Sequence, residues 1–130
     1  MTEQNIDPAI PDMTKDENPK KVTGDEIAAT VLEDVAELVN DDRESHGDAV
    51  DNQEHIAEGW TWYLRGHNLL DEDEELTGAD VARMMGLLKT SRGAVGESDP
   101  DHDRDVAGYA AIALACEKKR GNVDSVLRER

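Results

Sequence analysis

Four stretches of this chain carry apolar residues every three or four positions, which is the spacing of one face of an α-helix. No stretch of convincing length alternates apolar and polar residues with period two, so the pattern does not predict strands. The sequence therefore predicts an all-α fold with a four-helix arrangement. The apolar stripes of the first three helices are Ile27, Val31, Val35, Leu38 and Val39; Ile56, Trp60, Tyr63 and Leu64; and Val81, Met84, Met85 and Leu88.

Capping residues indicate where these helices begin and end. Thr23 stands three positions before Glu26, as in a capping box, and Thr77 stands three positions before Asp80. Pro100 suits the first position of the fourth helix, where a missing N–H does no harm. The remaining expected boundaries are a cap at Asp51 or Asn52 and ends at residues 40–42, near Gly66, at Gly93 and at Gly121.

Apolar periodicity is confined to the middle of the chain. Residues 1–21 hold three of the four prolines and almost no periodic apolar residues. Such a segment buries too little surface to offset the entropy of ordering it, so we predict a flexible acidic tail. The alternative is a strap that lies across a neighbouring subunit. Residues 22–121 form the predicted helical domain, and 122–130 a short terminal helix or tail.

The net charge of the chain limits the classes of molecule to which it can bind. The chain has 31 acidic and 14 basic residues and a formal net charge of −17, spread along its length. Because binding to phosphates needs clustered Lys and Arg, this composition speaks against direct nucleic-acid or anionic-membrane binding. It is typical of proteins from a high-salt cytoplasm, where salt screens self-repulsion, although acidity for solubility alone is the alternative.

The sequence also indicates an intracellular protein. Cys116 is the single cysteine, so no internal disulfide forms and a reducing compartment is expected. No apolar run reaches the roughly 18–20 residues that a membrane-spanning helix needs. The N-terminus lacks the charged and apolar regions of a secretory leader. We therefore expect a cytoplasmic protein that does not enter the membrane.

The fourth predicted helix carries a carboxylate where a packing face is expected. A helical wheel puts Asp105 on the same side as Gly108 and Ile112, and puts Arg92 on the apolar stripe of the third helix. A buried carboxylate must be neutralised, protonated or bound to a metal. One interpretation is a structural ion pair between Asp105 and Arg92. The other is a polar pocket between the third and fourth helices, where carboxylates hold Mg²⁺ and cations hold phosphate.

Other polar and aromatic residues give weaker signals. The four histidines do not match a zinc-binding pattern, and His46 stands out because it lies among charged residues of a predicted connector. Trp60 falls on the apolar stripe of the second helix, whereas Trp62 falls outside it, as a subunit-contact or stacking residue would. The run "DEDEE" at 71–75 is most simply a solvated acidic loop.

Three ordered motifs resemble an uncharacterised family of small helical proteins found in tailed phages, prophages and archaeal viruses. The motifs are "RESHGDAVDNQEHIAEGWTWYL", "DVARMMGLLKTSR" and "DHDRDVAGYAA", and the resemblance covers roughly residues 43–115. His102 departs from the family pattern, which has Asn after the first Asp of the third motif. The matching residues are Arg43, His46, Gly47, Asn52, Trp60, Asp80, Lys89, Arg92, Asp101, Asp105, Gly108 and Tyr109.

The last two motifs are also similar to a phage family associated with nucleotide modification and, more distantly, to the MazG-like all-α nucleoside triphosphate pyrophosphohydrolases. This resemblance implies a bound nucleotide, a Mg²⁺ cofactor and a homo-oligomer in the host-cell cytoplasm. The chain departs from the MazG-like pattern because it lacks a clean second pair of helix-borne carboxylates. By resemblance, the metal ligands are Asp101, Asp105 and Asp80, the phosphate-binding residues are Lys89, Arg92 and Arg43, and further site residues are His46, Asn52, Trp60 and Tyr109.

Two functional hypotheses follow. The first is a virus-type helical protein that binds or hydrolyses nucleotides. The alternative is a non-enzymatic oligomerising or adaptor protein in which the predicted pairing of Asp105 with Arg92 is purely structural.

Overall fold

A computed structural model of the chain describes residues 21–96 and 99–121, without the side chains of 42–46. Its elements are four helices, α1 (Gly24–His46), α2 (Ala49–Gly66), α3 (Gly78–Val95) and α4 (Pro100–Arg120), and the described ranges contain no strand. The predicted all-α, four-helix class is therefore confirmed. The predicted tails at 1–21 and 122–130 lie outside the described residues, apart from Lys21.

The predicted capping residues occupy the helix ends at several positions. Thr23 and Glu26 exchange the two hydrogen bonds of a capping box, at 3.0 and 3.1 Å. Thr77 forms the same arrangement with Asp80 at the start of α3. Gly121 follows α4 with a φ of 76°, which is the left-handed conformation that glycine adopts readily.

Three predicted boundaries are wrong. The first helix does not end at 40–42 but continues to His46, and Gly47, with a φ of 78°, ends it. Asp48 rather than Asp51 or Asn52 then caps α2, since its side chain accepts from the N–H of Val50 at 2.8 Å. The third helix continues past Gly93, which lies against the His102 ring, and its C-terminal cap is Gly96.

The core lies between α3 and α4 and is built from small residues. Ala79, Ala82, Ala113 and Cys116 are fully buried and form one cluster. Nearer the other end of the pair, Gly86 of α3 faces the Cβ of Tyr109. Because these side chains are small, the two antiparallel helix backbones approach closely and leave no room between them for a ligand. The predicted pocket between the third and fourth helices is therefore absent from this part of the structure.

The buried thiol of Cys116 is part of that core. Burial raises its pKa to about 11, and the nearby carboxylate of Glu54 adds to the increase. The thiol is therefore protonated at neutral pH and packs as a small apolar group.

The buried face of the second helix consists of Gln53, Ala57 and Thr61, which are four positions apart. The hydroxyl of Thr61 accepts a hydrogen bond of 2.9 Å from the N–H of Leu76, just before α3. This face is shifted from the predicted stripe, so Tyr63 is largely exposed.

Charged side chains tie the ends of the helices together. Arg120 of α4 contacts Glu54 of α2 at 3.5 Å and Glu75 of the acidic loop at 3.2 Å, and its hydrogen bond with Glu75 raises the pKa of Arg120. The carboxylate of Glu54 also accepts from the N–H of Gly78. The guanidinium of Arg65 donates to three carbonyls of the loop and holds it against the end of α2.

The first helix contacts α4 at one place. Gly108 faces the side chains of Val35 and Val39, and Val35 is 5% exposed. In contrast, Ile27 is 56% exposed, and Val31 and Leu38 are also classed as exposed. Only part of the predicted stripe of α1 is therefore covered within one chain. None of the described helices is long and apolar enough to span a membrane.

We expect Gly108 to control the attachment of α1. A Cβ at this position would lie 3.7 Å from Val39 Cγ2 and 3.8 Å from Val35 Cγ1, which is ordinary contact. Gly108→Ala should therefore keep or raise the free energy of unfolding, because alanine favours helix by up to about 1 kcal/mol. Gly108→Leu should overpack the contact, at a cost of about 1–3 kcal/mol. Hydrogen exchange should show faster exchange of the α1 amides in the Leu variant only; equal protection in both variants would contradict this role.

Candidate functional site

An open cleft lies between α1, the start of α2 and the outer face of α4. Its volume is about 260 Å³. The cleft exists because α4 packs against α3 on one side and meets α1 only near Gly108 on the other. Its lining residues are Val35, Leu38, Val39, Gly47, Ala49, Asn52, Gln53, Arg104, Asp105, Gly108, Tyr109 and Ile112.

The amide of Gln53 is the most unusual polar group in this lining. Gln53 is 8% exposed, and its Oε1 is buried without a hydrogen-bond partner. A buried acceptor left without a partner costs about 1–3 kcal/mol. A donor that enters the cleft would remove this cost once the amide turns toward it, and the terminal torsion of glutamine permits such a turn. The cleft therefore contains a group that is suited to a polar ligand.

Two charged residues of α4 line the same cleft. Arg104 lies 3.0 Å from a carboxylate oxygen of Asp101, its neighbour one turn earlier. Asp105 Oδ2 lies 3.1 Å from Lys89 Nζ, and the exposed fractions of these two side chains are 41% and 21%. Ion pairs that are this open to water contribute about 0–1 kcal/mol. Both pairs can therefore rearrange around a ligand at small cost.

The partner of Asp105 is Lys89, whereas the helical wheel predicted Arg92. The two helices run antiparallel, with Gly93 level with His102 and Gly86 level with Tyr109. In this register Lys89 is opposite Asp105, whereas Arg92 lies almost one turn beyond it and is exposed. The wheel placed Arg92 on the packing side of α3, but the side that meets α4 carries Gly86, Lys89 and Gly93. A wheel also contains no information about axial level.

The three predicted metal ligands do not form a common site. Asp80 belongs to the capping box of α3 and accepts from the N–H of Thr77. It is nine residues from Lys89, the partner of Asp105, and hence about 13 Å away along the helix axis. Asp101 is exposed and bound to Arg104. Among the side chains that the structure describes, no three His, Cys, Asp or Glu residues are grouped to hold a metal ion. The carboxylates present do not fit the expected Mg²⁺ site.

The other predicted site residues separate into three groups. Asn52 and Tyr109 line the cleft. Trp60 is half-buried and lines a small apolar groove with Leu64 and Met84, away from the charged residues. The side chains of Arg43 and His46 fall outside the described part of the chain, although the backbone of both belongs to α1.

Sequence reasoning missed Gln53 and Arg104. Gln53 precedes Ala57 and Thr61 at spacings of four, which is a signal for the buried face of α2. The bulky stripe of Ile56 and Trp60 obscured it. Arg104 carried no signal of its own, because one arginine among many charged residues does not indicate a cleft.

The fold and the cleft define a small all-α protein with an open cleft between three helices. The chain belongs to the family described as Domain of unknown function (DUF6378), whose model matches residues 30–117 and thus includes every cleft residue. It is similar to the Gene 55 protein of Mycobacterium phage L5, with 38% identity over 84 residues, or 64% of this chain and 49% of the relative. The chain therefore spans about half the length of that relative. No solved structure matches it.

These similarities confirm the predicted phage-type family. The more distant resemblance to MazG-like enzymes stays a prediction.

We expect the unpaired amide of Gln53 to lower stability in the absence of a ligand. Gln53→Leu keeps a similar volume and removes the buried acceptor, so it should raise the free energy of unfolding by about 1 kcal/mol. Urea unfolding followed by circular dichroism measures this change. Asn52→Leu is the matched control, since that neighbouring amide is exposed and should give no gain. A Gln53→Leu variant less stable than the parent would show that the amide has a structural partner.

Proposed function

We propose that this protein binds a nucleotide in the cleft between α1, α2 and α4 and acts in the host-cell cytoplasm. The observation that supports this function most directly is the buried, unpaired Oε1 of Gln53 beside an otherwise apolar cleft. Apolar walls with a few placed polar groups are the usual composition of small-molecule sites.

The size and walls of the cleft suit the base of a nucleotide. Its volume of about 260 Å³ is just below the roughly 300–1,000 Å³ of sites that bury a whole drug-sized ligand. One planar end of a ligand would therefore enter while the rest stays in water. Val35, Val39 and Ile112 supply aliphatic surface, and Tyr109 adds an aromatic ring, which favours stacking with a base.

The charged residues indicate how such a ligand would be oriented. Arg104 is the cation in the lining, and its ion pair with Asp101 is largely exposed and weak. A phosphate could replace Asp101 as its partner, because guanidinium groups bind phosphate with two parallel hydrogen bonds. The carboxylate of Asp105 repels phosphate from the interior. The base would therefore lie inside and the phosphates near Arg104.

We expect Arg104 to contribute to nucleotide affinity while Arg92 does not. Arg104→Gln should weaken the binding of nucleoside monophosphates about tenfold, because a charge-assisted hydrogen bond is lost. Arg92→Gln is the matched control, since Arg92 is exposed on α3 and does not line the cleft. Isothermal titration calorimetry of both variants, in molar salt to screen the net charge of −17, measures the effect. Equal affinities in the two variants, or no binding to the parent, would contradict the proposed site.

The same titrations, extended to nucleoside triphosphates, address catalysis. The resemblance to MazG-like enzymes implies hydrolysis with Mg²⁺, and this hypothesis rests on the resemblance alone because Asp80, Asp101 and Asp105 lie apart. Pyrophosphate release that requires Mg²⁺ and stops in EDTA would support an enzyme. Binding without release would identify a nucleotide-binding protein.

A second candidate function is self-association, alone or as an adaptor. The observation that favours it is the exposed stripe of Ile27, Val31 and Leu38 on α1, which the described part of the chain leaves uncovered. Contiguous exposed apolar surface marks interaction sites in soluble proteins. A second copy of the chain, packed along this stripe, would bury it.

We expect the α1 stripe to determine the oligomeric state. The parent should form a dimer or larger assembly, and the double substitution Ile27→Glu with Val31→Glu should give monomers, because two charges would have to be buried at the interface. Light scattering after size-exclusion chromatography measures the mass. Val95→Glu is the control, since Val95 is exposed at the end of α3, away from the stripe. A monomeric parent at about 100 μM would contradict self-association through α1.

A further inference from the structure

Two residues of the cleft lining carry oxygen acceptors. One acceptor is Oε1 of Gln53, which is buried without a hydrogen-bond partner and reaches the cleft once the amide turns. The other is the carboxylate of Asp105, which Lys89 contacts at 3.1 Å through Oδ2. An ionised carboxylate can only accept hydrogen bonds, and its four lone-pair sites leave several free beside one lysine. N–H donors on a ligand would therefore pair with the acceptors of the lining.

We propose that the cleft selects a 6-aminopurine or 4-aminopyrimidine base, which are the rings of adenine and cytosine, over bases with a carbonyl at that position. This inference rests on the proposed function, since it concerns which nucleotide the same cleft takes. An exocyclic amino group supplies two N–H donors, one for Gln53 and one for Asp105. Hypoxanthine and uracil present a carbonyl oxygen there, which would face the acceptors.

The two residues differ in how firmly they discriminate. The amide of Gln53 can turn over and offer its NH₂ to a carbonyl base, as glutamine side chains do. Asp105 has no such alternative, because a carboxylate that pairs with the ammonium of Lys89 offers only acceptors. Gln53 therefore strengthens the preference for an amino base, and Asp105 prevents the cleft from preferring a carbonyl base instead.

The other residues of the cleft lining do not distinguish one nucleotide from another. Arg104 lies on the same helix turn as Asp105 and is the cation available to phosphate. Because the phosphate is common to all nucleotides, Arg104 adds affinity without distinguishing among them. Apolar walls such as Ile112 contact any base equally well. Discrimination must therefore come from the polar groups that meet the base edge.

Matched pairs of ligands test this preference. Adenosine and inosine monophosphates differ in the purine group at position 6, and cytidine and uridine monophosphates differ in the pyrimidine group at position 4. We expect the amino member of each pair to bind about tenfold more tightly by isothermal titration calorimetry, as for one well-placed hydrogen bond. Gln53→Leu and Asp105→Asn should each reduce this ratio toward one. Gln53→Leu should do so by weakening the binding of the amino bases, and Asp105→Asn also by strengthening the binding of the carbonyl bases, to which asparagine can donate. Asp103→Asn, an exposed carboxylate outside the cleft, should leave the ratio unchanged.

The outcomes separate the inference from the function on which it rests. Equal binding of both members of each pair would overturn the inference and leave nucleotide binding intact. A preference that survives in both Gln53→Leu and Asp105→Asn would also overturn it, because other groups would then read the base. No binding by any nucleotide to the folded parent would remove the proposed function together with the inference.

Discussion

The close antiparallel contact between α3 and α4 is the interaction on which the rest of the structure depends. Ala79, Ala82 and Gly86 recur on α3 at spacings of three and four and put little bulk between the helices. Small side chains contribute little apolar area each, but they let two backbones pack closely along their length. This packing uses one side of α4 completely. Another side of α4, with Gly108, is left for α1, and the cleft forms there.

The same contact sets the axial level of every charged residue on these two helices. Because Gly86 lies beside Tyr109 and Gly93 beside His102, the register of the two helices places Lys89 opposite Asp105. The resulting ion pair is partly exposed and adds little stability. Its effect is instead to hold the carboxylate of Asp105 at the edge of the cleft. A core of alanine and glycine thus positions a carboxylate that the core itself does not contact.

Much of this architecture could be predicted from the sequence, because helix number and most helix ends depend on local signals. Capping residues such as Thr23 and Thr77 act within one turn, so their roles follow from their neighbours. The packing faces could not be predicted equally well. Apolar stripes identify a core by its bulky residues, and of these Val35 and Val81 are indeed buried, while Leu38 and Tyr63 are exposed. The other buried positions are Cys116 and residues of type Ala, Gly, Thr and Gln. Glutamine is usually a surface residue, and only the fold shows that Gln53 is buried beside a cleft.

The first helix belongs to two surfaces at once, and this links the two candidate functions. Leu38 lies both in the wall of the cleft and on the exposed stripe of α1. Because α1 meets α4 only around Gly108, a small movement of α1 changes the width of the cleft and the position of the stripe together. Any partner that fixes α1 would therefore change the affinity for a ligand in the cleft. Thermodynamic linkage requires that the ligand change the affinity for that partner by the same factor. The proposed nucleotide binding and the proposed self-association would therefore be coupled, with α1 as the shared element.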